Sequence, residues 1–134
     1  ITKYRNPNYV CLDESEIRLA AQKKYSDIEV VAQSVRKSLN AHHLVVTLGK
    51  RGSIGVNHDG KVNWTPIFST KVIDTIGAGD AFFAFTAPCF AQGLPLDLVS
   101  FVGNAVGALA VQIVCNARAI KKDELLDFIN ILMK

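Results

Sequence analysis

The sequence has few cysteines, no long run of basic residues, no internal repeat and no low-complexity segment. Its three cysteines, Cys11, Cys89 and Cys115, lie far apart among apolar neighbours, which favours reduced, buried thiols over disulfides or a metal cluster. With 15 basic and 12 acidic residues the net charge is only +3, so no nucleic-acid partner is indicated. Reduced thiols predict a cytoplasmic location.

The chain is long enough for one domain with a core, and no linker suggests a second. Of its 134 residues, 49% are hydrophobic and 20% are charged, as in globular proteins. The start, ITKYRNPNYV, has neither an initiator methionine nor an apolar signal core. We therefore expect no export or targeting signal and a chain cut from a longer one.

One uncharged segment, Leu98 to Ala117, is long enough to span a bilayer. Small or polar residues recur in it every four positions and would form one stripe on a helix: Ser100, Asn104, Ala108 and Gln112. Such a polar stripe is not expected on a helix that faces lipid. We therefore predict a buried core helix with one polar edge facing a site, and no membrane partner.

Apolar runs of strand length alternate with helical periodicity, which predicts an α/β protein. The unbroken apolar run Leu44 to Leu48 suits a parallel strand covered on both faces. The pattern predicts strands in residues 8–13 and 42–49, a hairpin with its turn at Asp59 and Gly60 in residues 53–66, and helices in residues 14–25, 27–40, 78–92, 96–115 and 122–132.

The three histidines are not predicted to form a metal site. His42 and His43 are adjacent, and adjacent side chains of a strand point to opposite faces of the sheet. His58 falls in the hairpin turn, where we expect it to be solvated.

The segment VIDTIGAGDAFFAF, residues 72–85, places a glycine-rich loop between an extended segment and an apolar helix. The first N–H groups of a helix lack internal partners, and Gly77 and Gly79 allow the backbone to approach an anion. Asp80 to Phe82 supply neither the Lys-Ser/Thr pair of a P-loop nor the third glycine of a dinucleotide fingerprint. Taken alone, the loop is equally compatible with a tight turn in which Asp80 caps the helix.

Three motifs together resemble the ribokinase-like (PfkB) carbohydrate kinase family. DTIGAGDAF is similar to its C-terminal signature, VVTLGKRGSIGV to its nucleotide strand and glycine turn, and FVGNAVGALAV to its helix beside the adenine pocket, in the same order and spacing. The resemblance implies a three-layer α/β/α fold with a mostly parallel sheet, here lacking the N-terminal, sugar-binding half. Residues 1–134 would be the C-terminal, nucleotide-binding part of one kinase domain.

The resemblance also implies roles for individual residues. Asp80 would be the catalytic base that takes the proton of the acceptor hydroxyl. Nucleotide binding is implied for Thr47, Gly49 and Gly52, and for Asn104 on the adenine side, although a buried Asn bonded to neighbouring backbone is the competing interpretation. The anion hole for the transferred phosphoryl group would comprise Gly77, Ala78 and Gly79.

Metal roles follow from the same resemblance. DESE, residues 13–16, occupies the position of the family's Asn-x-x-Glu motif, in which the glutamate, here Glu16, helps to organise Mg²⁺ and its waters. Asp13 replaces the usual Asn, which removes an amide donor and adds a negative charge. Asp74 matches a residue that helps to build a monovalent-cation (K⁺) site, with turn capping as the alternative.

The implied activity is ATP-dependent phosphoryl transfer to a hydroxyl of a sugar or nucleoside, with ATP and Mg²⁺ as cofactors. The isolated chain is expected to be inactive, and a sheet cut at its edge would favour homo-oligomers. Two alternatives remain open. One is a non-catalytic nucleotide-binding module. The other is half of a Rossmann-type oxidoreductase, disfavoured because no acidic residue follows a GxGxxG turn at the required spacing.

Overall fold

The computed structural model describes residues 1, 3–69 and 71–134, apart from the side chain of Asn116. Short 3₁₀ turns occupy Gly49–Arg51 and Val114–Asn116. In chain order the strands and α-helices are β1 (Tyr9–Asp13), α1 (Glu14–Ala21), α2 (Ile28–Leu39), β2 (His43–Thr47), β3 (Ser53–Val56), β4 (Val62–Thr65), α3 (Ala78–Ala91), α4 (Leu96–Ala110) and α5 (Lys122–Leu132).

The described strands form one sheet in the order β1-β2-β3-β4. β1 and β2 are parallel, whereas the β2–β3 and β3–β4 pairs are antiparallel. The sheet of this chain is therefore mixed, not mostly parallel. The connections explain this, because α1 and α2 form the long crossover that a parallel pair requires, whereas the turns after β2 and β3 are too short for one.

Helices cover both faces of the sheet, which confirms the three-layer α/β/α architecture. On one face, α1 and α2 bury Ile17, Val31 and Leu39 against Leu44 and other strand residues. On the other face, α3 and α4 cover a smaller core. Alternate residues of β2 thus point into different cores, which is why its apolar run is unbroken. α5 packs on the outer side of α4.

Helix α4 is buried, as predicted, but it ends at Ala110 rather than near Cys115. The backbone N–H groups of Ile73 and Asp74 both donate to the carbonyl of Val111. Cys115 adopts a left-handed conformation, φ 47°, which an α-helix cannot contain. This cysteine is exposed, contrary to the prediction of a buried thiol, although all three cysteines are free.

Within the described ranges, no helix is both long enough and apolar enough to cross a membrane. The uncharged segment instead packs α4 against α3, β3, β4 and α5. Gly103 shows how close this packing is, since a Cβ added there would lie 2.3 Å from the Phe82 ring of α3.

Candidate functional site

The main cleft lies at the carboxyl ends of the two parallel strands, where open α/β sheets bind ligands. Its volume is about 680 Å³, within the usual size range of small-molecule sites. It extends from Asp13 and Thr47, at the ends of β1 and β2, past the turn after β2 to the N-terminus of α3 and the inner face of α4.

The entry to α1 forms a reciprocal capping box. The Asp13 carboxylate accepts from the backbone N–H of Glu16 at 2.8 Å, and the Glu16 carboxylate accepts from the N–H of Asp13 at 2.8 Å. The Ser15 hydroxyl also donates to Asp13 at 2.6 Å. This bond, followed by the backbone donors, lowers the pKa of Asp13. Because Asp and Asn cap helices equally well, Asp13 can replace the family's Asn without loss of the cap.

The turn between β2 and β3 requires glycine for structural reasons. Gly52 has φ 87°, and a Cβ there would lie 2.0 Å from the Thr65 carbonyl oxygen. Gly49 also has a positive φ, 56°, but its Cβ position is open. Arg51 forms an ion pair with Glu14, which joins the turn to α1 beside the capping box. Arg51 and then Arg18 lower the pKa of Glu14.

The glycine-rich loop presents backbone donors at the start of α3. Gly77 adopts a left-handed conformation, φ 78°, at the helix N-cap, and no side chain caps the helix. The Ala78 N–H donates to the Thr75 carbonyl at 3.2 Å. Among the described residues, the N–H groups of Gly79 and Asp80 meet no protein acceptor. They are therefore available to an anion.

Asp80 is exposed in the first turn of α3 and lines a second hollow, of about 380 Å³, with Glu16, Gly77 and Gly79. Three residues line both this hollow and the main cleft: Asp13, Thr47 and Gly79. The two spaces are therefore adjacent at Gly79, whose N–H group is free. The predicted capping role of Asp80 is not seen, since its side chain makes no cap hydrogen bond.

Asp74 joins the loop before α3 to the turn after α4. One carboxylate oxygen accepts from the N–H of Ile76 at 3.0 Å, and the other accepts from the N–H of Cys115 at 2.7 Å. These two backbone bonds lower the pKa of Asp74. The geometry is that of the turn-capping alternative, and each oxygen retains a lone pair.

Asn104 is 8% exposed on the inner face of α4 and lines the main cleft. Its amide nitrogen donates to the Ser53 hydroxyl at 2.6 Å and to the Ser100 carbonyl at 2.8 Å. Because a carbonyl can only accept, the second bond fixes the orientation of the amide. The structural interpretation of Asn104 is therefore correct for its nitrogen, while its oxygen has no protein donor among the described residues.

Several lining residues were not anticipated from the sequence. The apolar wall of the main cleft includes Phe68, whose ring lies 5.1 Å from that of Phe101. The second hollow is lined by Cys11 as well as by Asp80. Burial raises the pKa of its thiol to about 12, so Cys11 remains protonated. The only sequence signal for this role of Cys11 was its position near the carboxyl end of the first predicted strand.

The glycine-rich loop, strand-end cleft and three-layer architecture define an α/β protein whose cleft is lined by free backbone N–H donors. Comparison with known families agrees: the family model of pfkB family carbohydrate kinases matches residues 2–116. This chain belongs to that family.

Relatives with similar sequences include kinases. Over 113 residues the chain is 30% identical to the bifunctional protein HldE of Koribacter versatilis, covering 82% of the chain and 23% of that protein. Over 103 residues it is 33% identical to the uncharacterized sugar kinase YegV of Escherichia coli, covering 76% and 32%. The chain thus spans a third or less of the length of these relatives.

Solved structures show the same ribokinase-like fold. Phosphofructokinase-2 of Escherichia coli, in complex with potassium, matches with a TM-score of 0.84 at 22% identity, covering 97% of this chain and 42% of that one. Ribokinase of Arabidopsis thaliana, complexed with ribose and ATP, matches with a TM-score of 0.76 at 24% identity, covering 90% and 40%. These matches confirm the predicted fold and show that the chain corresponds to less than half of each neighbour.

Proposed function

We propose that this chain is the C-terminal, nucleotide-binding part of an ATP-dependent kinase that phosphorylates a hydroxyl of a sugar or nucleoside. The observation that carries the proposal is the meeting of two spaces at Gly79. The larger cleft has the size for a nucleotide, and the smaller hollow contains the exposed carboxylate of Asp80. A phosphoryl group at their junction would pass from one to the other.

The chemistry expected at this junction needs donors and positioning more than a strong base. Phosphoryl transfer has a loose transition state whose charge is spread over the transferred oxygens. The free N–H groups of Gly79 and Asp80, beside the Gly77 backbone, would stabilise that charge. The Ala78 N–H would join them only by exchanging its 3.2 Å bond to the Thr75 carbonyl for the phosphoryl group. The acceptor oxygen forms the new bond to phosphorus as the bond to ADP breaks, and Asp80 receives the hydroxyl proton.

The nucleotide would lie along the main cleft. Thr47 lines both spaces and would contact a phosphate, and Gly49 and Gly52 line the cleft beyond it. The unpaired amide oxygen of Asn104 would accept a hydrogen bond from the amino group of adenine. Since the Asn104 nitrogen is already committed to Ser53 and Ser100, it would contribute acceptor chemistry only.

The residues present fit the expected metals. Glu16 uses one carboxylate oxygen in the capping box, which leaves the other for a water of Mg²⁺. Mg²⁺ would neutralise charge on the ATP phosphates. Asp74 retains acceptor capacity for a monovalent cation such as K⁺, although its two backbone bonds already give it a structural role.

The acceptor sugar or nucleoside would be bound mainly by another part of the protein. β1 forms an edge of the described sheet, and its outer side is free to pair with a further strand. We therefore propose that this chain alone is inactive, and that the same edge could support a homo-oligomer.

The direct test is transfer of phosphate from ATP/Mg²⁺ to a panel of sugars and nucleosides by the protein that contains this chain, measured as ADP release and by ³¹P NMR. A sugar or nucleoside phosphate is the expected product. ATP binding with no transfer to any acceptor would favour the non-catalytic nucleotide-binding module. Preferential binding of NAD over ATP/Mg²⁺ would contradict the kinase proposal.

A further inference from the structure

The three histidines lie together at the end of the sheet opposite the nucleotide cleft. β2 runs from His43 to Thr47, so the histidines are about 13 Å from the strand end that lines the cleft. The ligand nitrogens of His42, His43 and His58 all lie within 4.8 Å of one another. The expectation that His42 and His43 point to opposite faces of the sheet is therefore wrong.

The local backbone explains the error. β2 begins at His43. His42 lies outside the strand, so its side chain need not point to the face opposite that of His43. The Nδ1 atoms of His42 and His43 are 2.8 Å apart. The hairpin turn brings His58 over them, with its ring stacked on that of His42 at 4.9 Å.

A second observation concerns the orientation of His58. Its Nε2 atom lies 3.0 Å from a carboxylate oxygen of Asp59. Metal-binding histidines commonly donate their second ring N–H to a carboxylate, which fixes the tautomer and makes the other nitrogen a better ligand. Asp59 therefore leaves Nδ1 of His58 as the nitrogen for a metal.

We propose that His42, His43 and His58 bind a divalent transition-metal ion such as Zn²⁺, with Asp59 orienting His58. Three imidazoles with one position left for water are a known zinc ligand set. Zinc–nitrogen distances of about 2.0–2.1 Å place tetrahedral ligands about 3.3 Å apart. Since the nitrogens are separated by no more than 4.8 Å, binding requires a ring movement of at most roughly 1.5 Å. His42 and His58 are exposed, so this movement disturbs no core.

The bound ion would have a structural effect. It would join the β3–β4 turn to the start of β2, beside Phe90 of α3, whose ring lies 4.9 Å from that of His43.

The test is a titration of the purified protein with Zn²⁺ alone, followed by calorimetry and by thermal unfolding. The background variant Cys115→Ser removes the exposed thiol as a competing ligand. We expect one Zn²⁺ per chain and a Tm that rises with Zn²⁺ concentration. His58→Asn should weaken binding at least tenfold, and Asp59→Asn about tenfold. Lys61→Gln, on the same hairpin, should bind as the background does.

Two results would overturn the proposal: the absence of saturable binding by the background protein, or equal affinity in His58→Asn and Lys61→Gln. Circular dichroism without metal checks that the variants fold. If His58→Asn does not fold, the proposal is tested by the imidazole ¹H–¹⁵N chemical shifts of the background protein during a Zn²⁺ titration. Shifts of all three histidines support the site, and unchanged shifts refute it.

Discussion

Replacement of Gly52 by alanine should destabilise the protein strongly, because two separate costs coincide there. An alanine at φ 87° is strained by about 1–3 kcal/mol. Its Cβ would lie 2.0 Å from the Thr65 carbonyl oxygen, and relief of such overpacking costs about 1–3 kcal/mol more. We expect a loss of about 4 kcal/mol in the free energy of unfolding. With a urea m-value of about 2 kcal/mol/M, the unfolding midpoint falls by about 2 M.

Gly49→Ala is the matched control in the same turn. Its φ is also positive, at 56°, but nothing lies within 4 Å of the added Cβ. Only the backbone cost of about 1 kcal/mol remains, so the midpoint should fall by about 0.5 M. Equal midpoints for the two variants would refute the packing argument. Normal stability of Gly52→Ala combined with lost ATP binding would show instead that this glycine serves the ligand.

Two further predictions concern the carboxylates at the site. Asp13→Ala removes the capping box and should cost about 1 kcal/mol in urea unfolding, whereas Asp13→Asn should retain the stability; equal losses would contradict the capping role. The lowered pKa of Asp74 gives stability that is present above about pH 4 and is lost as the pH falls through its lower folded-state pKa. In acid titrations the stability difference between wild type and Asp74→Asn should therefore shrink below pH 4, and parallel profiles would contradict this.

Local patterns made most of the secondary structure predictable. Asp27 is the N-cap of α2, accepting from the N–H groups of Glu29 and Val30, and the Asp59–Gly60 turn joins β3 and β4. Both features depend on residues that are close in sequence. The capping box of Asp13 and Glu16 also has a local signal, D-x-x-E before a helix. We had interpreted these residues only as the counterpart of the family's Asn-x-x-Glu motif.

Contacts between distant segments account for what the sequence did not predict. The early end of α4 depends on Val111 and Cys115 meeting the loop before α3. The need for glycine at position 52 arises from the β4 backbone. The histidine cluster depends on the hairpin folding back to the start of β2. None of these contacts leaves a periodic signal in the sequence.

Among the site residues, too, local features were predictable from the sequence and contacts between distant segments were not. The spacing of Gly77, Gly79 and Asp80 before an apolar helix allowed an anion-binding loop but was equally compatible with a tight turn, and the family resemblance decided between them. Its relation to the cleft could not be deduced from spacing, because Thr47 and Asp13 reach the same junction from other strands. The roles of these residues in catalysis remain predictions.

The most direct test of the central proposal is the steady-state comparison of Asp80→Asn with the wild-type protein, together with their ATP affinities. Asn keeps the size of the side chain but cannot accept the hydroxyl proton. We predict that kcat falls by about 10²-fold or more, while the Kd for ATP/Mg²⁺ changes by only a few fold. Equal kcat values would contradict the assignment of Asp80 as the base.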